Sequence, residues 1–315
     1  MDETIYSALE EQSESAQTSR DSRGNADSSK AYDPQEYAAK KKAERDGLYA
    51  EIDETLSRVS ENPVALKDYL DVMARLGHYS LRNTLLIYDH MPEASRLGDF
   101  DYWKEQGASV LKGQKALSIL APGDEYTKED GSIGRSFNVK GVFDVSQTSA
   151  RNLKSQHPDA HTLLLALIEN TPAPIEVVDL LTEGNGCVIY DQSSNSIKIA
   201  KGLDEGPLLK MLVVEMSQAT LAQTDRAYDH EGSRETASLA AYVVAGRYGA
   251  DNSALMPVLS TSPESTPADM REKLSSIRGV ANALSDRVDE TLQAKATQEI
   301  APALKQARSE RDGAR

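Results

Sequence analysis

The sequence predicts an α+β protein, and three patterns carry that expectation. Leu48, Ile52, Leu56 and Val59 recur at spacings of four, four and three, the stripe of one helical face. Past Gly107 the texture becomes β: Leu117 and Ile119 begin a short strand ending near Gly123, Gly131 marks a turn, and Phe137, Val139 and Val142 alternate in a returning strand. A second α+β series then follows, with a short hairpin ahead of two helical stretches at 208–222 and 233–248.

Taken in order, residues 1–45 read as a disordered tail. They hold only Ile5 and Leu9 as aliphatics besides Met1, too little apolar surface to offset the entropy of ordering. Lys40-Lys41-Lys42 reads as the solvated entrance to the first helix. Asn62-Pro63 supplies an N-cap and a proline at the first helical position, opening a helix with Leu66, Leu70, Met73 and Leu76 inward. A third helix is expected over 80–90 and a short one over 99–106. These elements define a domain at 46–148. A second domain, 149–251, is expected to hold a helix at 159–169, a strand at 175–178, a hairpin around 192–195, and the two later helices, the last ended by Gly249. Residues 252–315 read as a Ser/Thr/Pro linker and a final helix with Met270, Leu274, Ile277, Ala281, Leu284, Val288 and Leu292 on one stripe, expected to pack on the second domain.

Composition narrows the functional classes. The one cysteine, Cys187, excludes an internal disulfide and a cysteine-based zinc site and fits a reducing compartment. No secretory signal and no apolar run of about 20 residues is visible, so a cytoplasmic protein without membrane association is expected. The net charge of −15 opposes a uniform affinity for phosphate. Between Arg75 and Lys115, however, six bases face five acids, so that stretch is far less acidic than its surroundings.

The most informative residues lie in that stretch and just beyond it: Tyr79-Ser80-Leu81-Arg82-Asn83, Tyr102-Trp103, Lys112-Gly113-Gln114-Lys115, Ala121-Pro122, and Phe143-Asp144-Val145-Ser146-Gln147-Thr148. In order and spacing they resemble the N-terminal domain of the ArdC antirestriction family. The resemblance implies binding of single-stranded DNA. Single strands are held by aromatic faces on which bases stack and by cations that follow the backbone. On that basis Tyr79, Tyr102 and Trp103 are candidate platforms, and Arg82, Lys112 and Lys115 candidate phosphate contacts. Ser80 and Asn83 are neutral donors, and Gly113 lets backbone N–H groups approach a phosphate. Each has a structural alternative: Trp103 as core, Asn83 as a loop brace, the lysine turn as an ordinary solvated hairpin. Tyr88, on the apolar stripe, reads as core. The sequence departs from the family in placing Ala108 and Leu111 where cations are common.

The second domain resembles the zincin-like, LtrC-like half of the same family. There a His-Glu-x-x-His helix would place two imidazoles on one face around zinc, with the glutamate as general base. Here the motif reads Val214-Glu215-Met216-Ser217-Gln218, with both histidine positions replaced. Glu235 is the one acid kept on the following helix. No metal, no cofactor and no catalysis is therefore expected, with Glu215 vestigial and His230 solvent-facing. The combined expectation is a non-catalytic, antirestriction-like single-stranded-DNA-binding protein of a conjugative or mobile element. The degenerate domain would serve as scaffold or as the surface for a host or mobile-element protein. The alternatives are an acidic decoy that binds a restriction or host DNA enzyme, and a metallopeptidase with a rebuilt site.

Overall fold

The computed structural model describes residues 33–128, 130–151, 157–179, 187–257 and 266–313. It is an α+β molecule, as the sequence predicts. The described helices are α1 (Pro34–Glu61), α2 (Pro63–Arg75), α3 (Leu81–His90), α4 (Phe100–Glu105), α5 (Ala160–Glu169), α6 (Glu205–Thr224), α7 (Arg234–Arg247) and α8 (Pro267–Gly313). The strands are β1 (Leu97–Gly98), β2 (Leu117–Thr127), β3 (Ile133–Asp144), β4 (Ile175–Val178), β5 (Val188–Asp191) and β6 (Ser196–Ala200). The tail expectation for residues 1–32 lies outside the described residues. Its boundary needs correction: α1 begins at Pro34, so residues 34–45 are helical.

Local chemistry explains the element ends. Asn62 accepts from Val64 N and Ala65 N, with Pro63 at the first helical position of α2. Ser80, Asp99 and Asp159 cap α3, α4 and α5 through their side-chain oxygens. Gly131, at φ +81, turns β2 into β3, a conformation a Cβ would strain. The β2–β3 ribbon is longer than the alternation suggests, with pairs running from Leu117↔Val142 to Thr127↔Ile133 and a register shift between Pro122 and Glu125. Its outer half holds residues that bury little, such as Ile133 and Tyr126, so apolar alternation does not mark it.

Two small sheets result. In the first, β3 lies between β1 and β2 and is antiparallel to both. In the second, β6 is central, parallel to β4 and antiparallel to β5. The hairpin turn between β5 and β6 passes through Asn195 at φ 48.

One apolar core runs through both parts that the sequence suggests as separate domains. It joins Leu48, Ile52 and Leu56 of α1, Tyr69 and Met73 of α2 and Leu85 of α3 to Leu212 and Met216 of α6, Val243 of α7 and Ile277 and Leu284 of α8. Each such aliphatic side chain contributes about 1.5–3 kcal/mol on leaving water. Polar ties follow the same seams. Tyr242 donates to Asp71 at 2.5 Å, and Arg278 of α8 donates to the Tyr79 carbonyl at 2.8 Å. Glu44–Arg315 accordingly forms one compact unit.

Candidate functional site

The residues expected to touch DNA divide into two groups. The first braces the fold. Trp103 is 1% exposed, in a cluster with Ala108, Phe143 and Val145, and its indole N–H donates to the Phe143 carbonyl at 2.9 Å. A ring enclosed on this scale has no face for a base, so the platform role expected of Trp103 is corrected. Asn83, 7% exposed, donates to Leu120 O and accepts from Leu120 N, both at 2.9 Å. Its amide is spent on clamping β2 to α3, which replaces the donor role expected for it. Ser80 caps α3 by accepting from Asn83 N at 3.3 Å.

The Asp144–Thr148 motif is likewise structural. Asp144 accepts from the backbone of Ser95, Arg96 and Ser146, while the Gln147 side chain accepts from Asp144 N and donates to Lys115 O. Burial raises the Asp144 carboxyl, but the hydrogen bonds from Ser146, Arg96 and Ser95 outweigh it and hold the group below the usual carboxylate value.

The second group stays accessible. Lys112, Gly113 and Lys115 lie in an exposed turn, with Gly113 at φ +85. The turn borders a cavity of about 610 Å³ together with Leu48, Glu51, His90 and Met91. Arg82 is exposed and lies over two rings, 5.6 Å from the Tyr49 centroid and 5.9 Å from that of Phe137. Arg45 adds a contact to the Phe137 carbonyl at 3.5 Å. The lysine turn and this aromatic–guanidinium cluster thus flank the same turn of α1, Leu48 to Glu51. Among the described residues Arg82, Lys112 and Lys115 have no ion-pair partner. Tyr79 and Tyr102 sit apart at β1, both half-buried. The Tyr79 hydroxyl donates to Leu97 O at 3.3 Å, and Gly98 leaves the room that the Tyr102 ring fills. The sequence does not mark Tyr49, Phe137 or Arg45 as site residues. Their approach depends on pairing α1 with β3, about 90 residues away, which no local period encodes.

In the second half, α6 carries Val214, Glu215 and Gln218 into a different setting. Glu215 and Val214 line a cavity of about 980 Å³ with Leu163, Val188, Leu209 and His230. The Glu215 side chain is 13% exposed. Its Oε2 accepts from Tyr190 N on β5 at 2.8 Å and lies 3.4 Å from His230 Nε2. The solvent-facing placement expected of His230 is corrected: the ring is half-buried against Glu215. Burial, then the charge of Glu215, push the nearby Tyr228 phenol above its usual range.

The residues present do not fit zinc. Val214 has no donor atom, and the fully buried Gln218 uses its amide oxygen to accept from Tyr228 Oη at 3.1 Å and its amide nitrogen to donate to His230 O at 3.0 Å. Glu235 is drawn to Lys273 of α8 at 2.9 Å and does not line the cavity. Among the described residues no three His, Cys, Asp or Glu side chains converge, and no helix is long and apolar enough to cross a membrane.

The helix–ribbon part, with its braced motif residues and half-buried rings under Arg82, is the part for which a family comparison finds a match. Residues 46–155 match the N-terminal domain of anti-restriction factor ArdC. That segment, about a third of the chain, is similar to the ArdC N-terminal domain. Crystal structures of the antirestriction ArdC protein from the R388 plasmid are similar, one metal-free and one Mn(II)-bound. Both have a TM-score of 0.41 and 15% identity, and they cover 66% of this chain and 85% and 84% of theirs. No curated protein matches the chain.

Proposed function

We propose that this chain is a non-catalytic single-stranded-DNA-binding protein with an antirestriction role in a mobile-element setting, escorting or shielding entering strands. The observation that carries the reading is Arg82 over Tyr49 and Phe137, within the ArdC-matching segment that also holds the exposed lysine turn. Rings of this kind take unpaired bases, and free guanidinium and ammonium groups follow the phosphates. The overall charge of −15 confines such contact to this surface and makes it sensitive to salt.

Fluorescence anisotropy of the full chain with labelled single and duplex oligonucleotides tests it. Saturable binding to the single strand, weakened by salt, is expected. Stacking worth about 1–3 kcal/mol per base predicts a roughly 5- to 150-fold loss in Tyr49→Ala or Phe137→Ala. No binding in dilute buffer, together with inhibition of a restriction nuclease, would support an acidic decoy in its place. The lack of catalysis is checked separately by metal analysis of protein purified without chelator, where stoichiometric zinc would refute it.

A further inference from the structure

We propose that the cavity at Glu215 is a binding site for a small ligand with an apolar body and a cationic amidine or amine head. The cavity, at about 980 Å³, is of the size that encloses small organic molecules. Leu163, Val188, Leu209 and Leu255 supply apolar wall. Glu215 supplies the polar anchor. Its Oε2 is taken by Tyr190 N and His230, while Oε1 has no partner among the described residues.

A carboxylate with so little exposure gains most from a donor that also carries positive charge. Apart from His230, which lies against Oε2, the bases around it do not provide one. Lys210 is held by Asp251 at 2.5 Å, and Arg234, 68% exposed, lies toward Glu231 at 3.9 Å. Around the cavity the acids Asp159, Glu215 and Asp251 outnumber the permanently charged bases Lys210 and Arg234, with His230 the other titratable base in the wall, so the field favours a cation. The positions that would cage a metal in the resembled motif have become an aliphatic wall and a buried amide. What remains is an anionic, half-apolar cleft.

Isothermal titration of the full chain with benzamidine and with benzoate, equal in shape and opposite in charge, tests this. Saturable benzamidine binding is expected, with benzoate giving none. Glu215→Gln, which keeps an oxygen for Tyr190 N, should weaken benzamidine at least tenfold with an unchanged circular dichroism spectrum. His230→Ala, which frees Oε2, should bind benzamidine as tightly or more tightly, and it decides the matter if the glutamine variant does not fold. Absence of benzamidine saturation, equal binding of benzoate, full affinity in Glu215→Gln, or loss of affinity in His230→Ala would each overturn the proposal.

Discussion

The ArdC-matching segment and the segment built on α6 have treated their motif residues in opposite ways. In the first, the most distinctive side chains are consumed by the fold: Asn83 clamps β2, Trp103 holds β3, and Gln147 ties the lysine turn to Asp144. What stays accessible is less distinctive: a few exposed cations and half-buried rings on α1 and β3. In the second, Val214 serves as apolar wall and Gln218 as a buried clamp, while Glu215 between them faces a cavity and meets His230 of the loop after α6. Distinctive residues can therefore build the scaffold while accessible ones lie beside them. They can also line a shaped cavity, as Val214 and Glu215 do.

The largest effect that could break this contrast is at Trp103. Trp103→Ala should cost about 3–5 kcal/mol in urea unfolding, as emptying a packed aromatic site does. If oligonucleotide affinity fell without that loss of stability, the ring would be a stacking platform after all. Next come the two clamping amides. Asn83→Ala strands Leu120 N–H and C=O, and Gln218→Ala strands Tyr228 Oη and His230 O, at about 1–3 kcal/mol for each buried group left unpaired. In Gln218→Ala, faster proteolysis within residues 225–233 should accompany the loss, because the amide makes two of the hydrogen bonds that tie that loop to α6.

A smaller effect is set by Asp144. Its folded-state carboxyl lies below the usual value of 3.8, so its contribution to stability is present above that pH and is lost as pH falls through the lower folded-state value. Asp144→Asn should flatten the acid limb of the stability profile below pH 3.8, seen as a smaller fall in melting temperature. The smallest stability change belongs to Lys112→Ala/Lys115→Ala. The exposed turn should unfold with the rest of the protein at an unchanged denaturant midpoint, while the salt dependence of single-strand binding becomes shallower.

The pattern of the chain by itself determined the helix at 63–75 with its Asn62-Pro63 entry, the strand at 175–178, the hairpin turn before Ser196 and the stripe on α8. These rest on local periodicity and capping, which neighbouring residues encode among themselves. That Val214 and Gln218 offer no imidazole on α6 was equally legible, being a matter of residue type. Tertiary structure alone decided which side chains were free to act. Whether Asn83 faces solvent or Leu120, whether Tyr49 meets Arg82, and whether His230 reaches Glu215 depend on pairings between residues 15 to more than 30 apart. Such pairings are fixed by burial of one shared core, because a polar group inside it must find its partner wherever the packed chain places one.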